Sequence, residues 1–455
     1  MVVFEPGIAM AGGTDWTMIS DIGNTECFVH IVLPVKTGFV PAGRFAMDFQ
    51  QGARRGRFMY ARSYLDRPDA VSIDPVRMPL DARQYETVGW DGVFGSLRDA
   101  SPDYWGRRVI ERHAGRPELS EIDYLLLSPD DRVGALGFGL SAEPIAPKRD
   151  FNKTLDLDRL ISLADRVISD RRVPETPEAN RLDELLLLGT SMGGARPKAV
   201  VEDDDGLWLA KFPHPEDKWN HARVEHAMLS LARRCGIDVA HSRVETVGGR
   251  DVLLVKRFDW ERSTDGYLRS RMLSAFTLLR PEIEETPNPR RWWSYPLLVE
   301  ELRRLSAHPI PDAQQLFRRM VYNALISNID DHPRNHAVIA KGDRWEISPA
   351  YDLTPSVPVS IERRDLAMRC GDAGRYANAE NLLSQCERFN LNRHEAGAII
   401  DTMEKRVRRE WYPVARRAGV SETDCSAIRG AFVYPGFRYS LQDMGDDDGM
   451  SPHGR

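Results

Sequence analysis

Three polar side chains set the chemistry open to this chain. Asp330 and Asn335 stand five positions apart in SNIDDHPRNHAV, and Asp352 follows in SPAYDLTPS. A carboxylate can take the proton of an attacking hydroxyl, while an amide oxygen and a second carboxylate are hard ligands suited to Mg²⁺ on a triphosphate. On that reading Asp330 is the general base, Asn335 and Asp352 are the metal ligands, and the reaction is phosphoryl transfer from ATP. The same spacing also arises by chance, and carboxylates in a loop are usually just solvated, so the pattern gains weight only from the elements around it. His332 lies between the two and is a candidate phosphate contact. HPRNH lacks the HExxH spacing of a zinc hydrolase, which excludes that class.

The elements that must position these groups are legible nearby. Leu316, Phe317, Met320, Val321, Ala324 and Leu325 share helical spacing, so a helix ending at Asn328 delivers the Asp330 loop. RWEIS is a short strand leading to Tyr351 and Asp352. Upstream, LGTSMGGARPK is a glycine turn, KAVVED and LWLAKF are strands, ARVEHAMLSLARRCG is a helix closed by Gly236, and DVLLVKRF is a further strand. Lys211 either reaches the α- and β-phosphates of a nucleotide or, equally well, protects a sheet edge from aggregation. Glu225 is its candidate partner. Gly193 and Gly194 permit close backbone approach to phosphate oxygens, with Ala195, Arg196, Pro197 and Lys198 completing the turn. A plain hairpin fits those residues too, and the GK[ST] ending of a Walker A loop is missing. Lys256, Arg257 and Phe258 stand where a hinge would offer backbone groups to adenine, or else form a strand end with snorkelling cations.

At 455 residues the chain has room for two domains or one large bilobal one, and 42% hydrophobic content fills a sizeable core. A β-rich stretch precedes a mostly helical one, an α+β pattern. We expect disorder over residues 1–18, an N-terminal α+β subdomain over 19–145, a connector and nucleotide-binding lobe over 146–260, a helical catalytic lobe over 261–440, and a disordered acidic tail over 441–455. Within the subdomain, Ser101 as N-cap with Pro102 at the first helical position predicts a helix start. A net charge of −6 argues against an obligate nucleic-acid binder, although Arg54, Arg55 and Arg57 form a local basic patch. Five scattered cysteines without a CxxC pair suit a reducing cytoplasm. No apolar run approaches the roughly 20 residues that span a bilayer, so no membrane association is expected.

In family order over about residues 185 to 360, the segments GGARPKAVV, LWLAKFP, VEHAML, LLVKRFD, NALISNIDDHPRNHAV and SPAYDLTPS resemble the HipA-type serine/threonine kinases. These are the toxin half of bacterial HipA–HipB toxin–antitoxin modules. GVFGSLRDASPDYWGRRVIERHAG and DDRVGALGF resemble the N-terminal subdomain of the family, although SLRDASPDYWGR departs from its commoner NLLPEG-like form. The resemblance implies a bilobal kinase-like fold, with Asp330 as catalytic base, Asn335 and Asp352 on Mg²⁺, Lys211 on the phosphates, and the turn from Gly193 to Lys198 over the nucleotide. His332 and Tyr351 then border the nucleotide site. Ser191 aligns with the serine that members autophosphorylate to switch off, and Thr190 beside it leaves that assignment open. The resemblance further implies a protein substrate of the aminoacyl-tRNA synthetase type and a HipB-like helix-turn-helix antitoxin through which DNA is reached indirectly. A small-molecule kinase, or a non-catalytic nucleotide-binding partner of a DNA-binding regulator, would share the same residues.

Overall fold

Alternation of apolar and polar residues builds the first layer of the computed structural model, which describes residues 25–50, 52–117, 119–147, 151–169, 196–279, 289–357 and 360–441. The termini expected to be disordered lie outside the described residues, apart from residue 441, and so do Thr190, Ser191, Gly193, Gly194 and Ala195. Strands β1 (Glu26–Val32), β2 (Phe39–Gln50), β3 (Ala53–Tyr60), β4 (Tyr85–Thr87) and β5 (Leu136–Gly139) form an antiparallel sheet of order β4-β3-β2-β1-β5. Phe45 and Phe58 are cross-strand partners in this sheet and both are fully buried. The short helices Gly95–Asp99 and Glu121–Leu127 add Leu97, Ile122 and Leu125 to the same core.

The helix expected to start at Ser101 instead runs Tyr104–Ala114, capped by Asp103, whose carboxylate accepts from the Gly106 amide at 2.8 Å. Asp103 displaces Ser101 because a carboxylate at the N-cap also meets a buried cation, described below. The helix closes on Gly115 at φ 64°, a left-handed conformation that glycine adopts without strain.

Trp105 and Val109 of that helix pack against a second sheet: β6 (Asn152–Lys153), β7 (Lys198–Asp203), β8 (Gly206–Lys211), β9 (Ser242–Val247) and β10 (Arg250–Lys256), in order β6-β7-β8-β10-β9. The amphipathic stretch around Leu157 is a helix, Leu157–Ile168, and its Leu160, Ile161 and Ala164 cover one face of the sheet against Ala199, Ala210 and Leu254. Strand β9 was not expected; SRVETV is a half-exposed edge strand whose polar residues mask its period.

The rest is largely helical. A hairpin, β11 (Trp260–Ser263) and β12 (Gly266–Arg269), leads to a three-stranded antiparallel sheet, β13 (Arg271–Ser274), β14 (Ala337–Lys341) and β15 (Arg344–Ile347). The Pro309–Ile326 helix forms the centre of the lobe, with Leu316, Phe317, Met320, Val321, Ala324 and Leu325 all at 0% exposure. Around it pack Tyr295–Leu305, Ala379–Ser384 and Arg393–Arg417, the last contributing Ile400, Met403 and Val407. All five cysteines are free and buried, and no helix among the described residues is long and apolar enough to cross a membrane.

A buried ionic joint links the segment before β5 to the residues that follow β10. Arg257 donates to the carbonyls of Asp131 at 2.7 Å and Arg132 at 2.6 Å, and pairs with Asp259 at 2.7 Å. Asp259 also accepts from the Gly134 amide at 2.9 Å. Replacing one member of such a pair strands the other charge in a dry interior. Arg257→Met is therefore expected to cost about 3–5 kcal/mol of stability, read as a lowered urea midpoint; an unchanged midpoint would show that the joint carries no weight.

Candidate active site

The cleft is built from one row across the second sheet. Lys198 on β7 is paired in register with Lys211 on β8, and Lys211 with Leu253 on β10, so the three side chains share one face. Two neighbouring ammonium groups repel, and each is compensated separately. Lys198 Nζ pairs with Asp103 at 2.8 Å; Lys211 Nζ pairs with Glu225 of the His221–Arg234 helix at 2.7 Å and with Asp352 at 2.7 Å. Burial pushes the pKa of Lys198 down despite the Asp103 carboxylate. Burial also opposes the charge on Lys211, but Asp352 and Glu225 outweigh it and raise its pKa. Conversely, Lys211 holds the Asp352 carboxyl below its ordinary range, whereas burial raises that of Glu225.

The opposite wall is the loop after the Pro309–Ile326 helix. That helix ends at Ser327 in a left-handed turn, φ 53°, slightly earlier than the Asn328 stop read from sequence. Asn328 donates to Asn323 Oδ1 at 3.1 Å and to the Asp352 carbonyl at 3.5 Å, tying the loop to the segment that follows β15. Asn335 Nδ2 donates to the Asp330 carbonyl at 3.3 Å. Beneath them Asp331, 1% exposed, accepts from His336 Nε2 at 2.7 Å and from the Tyr295 hydroxyl. This leaves Asp330 solvent-accessible at the loop tip. Partial burial raises its pKa; His332 opposes that, while the Asp352 and Asp331 carboxylates add to it. Asp352 itself sits at φ 57°, a strained conformation for a non-glycine residue and one that clusters at functional sites.

The remaining sequence candidates divide into two groups. Phe258 and Tyr351 stack at 5.8 Å and, with Ala240, Leu253 and Val255, make an apolar wall beside Lys211. His332 packs edge-on to Trp293 at 6.4 Å, and the Tyr351 hydroxyl donates to the Arg334 carbonyl at 2.9 Å. Arg196 is held by Asp217 at 2.5 Å, and the Pro197 carbonyl accepts from the Phe212 amide at 2.9 Å. Lys256 alternates to the opposite sheet face, where its ammonium lies 5.8 Å from the Trp208 ring centre. Arg257 is committed to the buried joint. The side chains of Lys256 and Arg257 thus do not enter the cleft, and the Lys198 ammonium enters it already neutralised by Asp103. The residues missed from sequence are Asp103, Tyr295, Asn323, Asn328, Asp331 and His336. Of these, Asn328, Asp331 and His336 were visible beside the motif, whereas Asp103 and Tyr295 carry no local signal.

The donor set fits Mg²⁺. Among the described residues no group of three or more His, Cys, Asp or Glu side chains is arranged as a protein cage for a metal. Mg²⁺ does not need one: it keeps waters, takes phosphate oxygens, and is satisfied by one or two carboxylates. Asn335 spends its amide nitrogen on the Asp330 carbonyl, so its oxygen is the atom offered to an ion, alongside the Asp352 carboxylate.

Residues 33–139 match the HipA N-terminal domain and residues 190–411 match the HipA-like C-terminal domain. Putative kinase Y4mE of Sinorhizobium fredii is 27% identical over 164 residues, 36% of this chain and 38% of the relative. A putative kinase from Haemophilus influenzae is 22% identical over 185 residues, 37% of this chain and 54% of its own length. The chain thus matches about two fifths to one half of the length of these curated relatives. The fold is similar to a structure titled as the Shewanella oneidensis MR-1 toxin–antitoxin system HipA, HipB and operator DNA complex, with a TM-score of 0.61 at 16% identity, covering 89% of this chain and 94% of that one. With both of its domains matched and the fold shared, the chain belongs to the HipA family.

Proposed function

We propose that this protein transfers the γ-phosphoryl group of ATP to a serine or threonine hydroxyl of a protein substrate. The observation that carries the reading is Lys211 bridged between Glu225 and Asp352, facing a loop that presents Asp330 and Asn335. Lys211 binds phosphate oxygens, the apolar wall of Leu253, Val255, Phe258 and Tyr351 receives the base, and Asn335 and Asp352 hold Mg²⁺. When bound, the ion neutralises phosphate charge and fixes the triphosphate geometry. Asp330 accepts the proton of the incoming hydroxyl. Asp331 touches neither substrate nor nucleotide in this scheme; anchored by His336 and Tyr295, it positions the loop.

We further propose a HipB-like helix-turn-helix antitoxin as partner, a reading supported by the HipA–HipB–operator complex whose fold this chain shares. DNA is then contacted through that partner. The aminoacyl-tRNA synthetase class of substrate and autophosphorylation at Ser191, with Thr190 beside it, rest on family resemblance.

Incubation with radiolabelled ATP tests the reaction. Wild type is expected to label protein, and Asp330→Asn to label it about 10²–10⁴-fold more slowly, the usual cost of losing a general base. Equal labelling would remove Asp330 from the mechanism, and label appearing on a metabolite would shift the acceptor to a small molecule. The pH dependence follows from the raised pKa of Asp330. Because the base works only when ionised, kcat/KM is present above that pKa and falls as pH drops through it, so its acid limb lies above the ordinary aspartate range. A limb at the ordinary value would contradict the role.

A further inference from the structure

Away from the cleft, the end of the His221–Arg234 helix, the Pro311 to Arg318 part of the Pro309–Ile326 helix and the middle of the Arg393–Arg417 helix line an open concavity of about 480 Å³. Arg233, Arg234, Arg318 and Arg406 line it together with Gln314 and Gln315, over a floor that includes the buried Cys235 and Met403. Arg233 lies eight residues beyond Glu225, about 12 Å further along the helix axis, so the cavity is distinct from the cleft.

Its charges are unbalanced. Arg234 pairs with Glu410 at 3.2 Å, and Arg406 donates to the Arg234 carbonyl while lying 4.0 Å from the same glutamate. Glu410 is shared again with Arg409 at 2.6 Å. Arg233 and Arg318 have neither a carboxylate partner nor a side-chain hydrogen bond among the described residues. Gln315 is fixed as a wall, accepting from the Asp238 amide at 3.2 Å and donating to the Gly236 carbonyl at 3.1 Å. Four guanidiniums around one concavity, two of them uncompensated, repel one another unless an anion enters. Planar guanidinium forks match phosphate oxygens bidentately, and the volume suits a small molecule rather than a single ion.

We propose that this cavity binds a phosphate-bearing small molecule of pyrophosphate to nucleotide size, at a site separate from the catalytic cleft. Calorimetric titration of the full chain with inorganic pyrophosphate, without Mg²⁺, tests it. Wild type and Lys211→Met are expected to bind alike. Arg233→Gln, at an exposed position, is expected to weaken binding about tenfold, and the Arg233→Gln/Arg318→Gln pair about 100-fold, as charge-assisted hydrogen bonds are lost. Circular dichroism melting of each variant checks that the fold is intact, and the single exposed substitution stands if the pair does not fold. No binding to wild type at millimolar pyrophosphate would overturn the proposal. Binding lost in Lys211→Met yet kept in the arginine variants would place the anion in the cleft and overturn it equally.

Discussion

Two ammonium groups side by side on one sheet face are the constraint from which the rest of this structure follows. Lys198 and Lys211 are cross-strand partners and both are largely buried, an arrangement that is repulsive and desolvated at once. Charges taken from water cost several kcal/mol each unless paired and hydrogen-bonded. Each compensating carboxylate comes from a different part of the chain: Asp103 from the N-terminal region, Glu225 from the His221–Arg234 helix on the cleft face of the sheet, and Asp352 from the segment after β15. The two lysines therefore draw three separate segments onto one cleft. The buried Arg257–Asp259 pair, with the carbonyls of Asp131 and Arg132, secures the first of those segments from another side.

The other wall depends on a different kind of constraint. A loop that must expose a carboxylate cannot be held by burial of that group, so neighbouring residues are buried instead. Asp331, fixed by His336 and Tyr295, and Asn328, bonded to Asn323 and the Asp352 backbone, tie the loop to the buried C-terminal half of the Pro309–Ile326 helix and to the Tyr295–Leu305 helix. Ser327 and Asp352 both hold left-handed conformations, so the backbone strain collects where the loop and the aspartate meet. Rigid support beneath an exposed tip is what a positioned catalytic group requires.

How much of this was legible in the sequence follows from how local each signal is. The Pro309–Ile326 helix announced itself because its buried residues repeat at helical spacing, and all six named positions are fully buried. Asp330, Asn335, Lys211, Glu225 and Asp352 could be named because each sits in a short segment whose element type was readable, and the structure brings them to one cleft. The Asp103–Lys198 pair spans 95 positions, and neither residue advertises the other. For the same reason Ser101 looks like the better cap in sequence, and the Arg257 side chain, which could be read as a snorkelling strand-end cation, is buried in a joint. Edge strand β9 stayed hidden because a half-exposed strand need not alternate cleanly.

Lys211 and Asp352 form an ion pair, and in the proposed mechanism the same carboxylate would also serve Mg²⁺. ATP affinity measured by fluorescence titration with and without Mg²⁺, in wild type and Asp352→Asn, is the most direct test of that shared role. If Asp352 carries the ion, Mg²⁺ tightens ATP binding to wild type and has little effect on the variant. An equal Mg²⁺ effect in both proteins would contradict it.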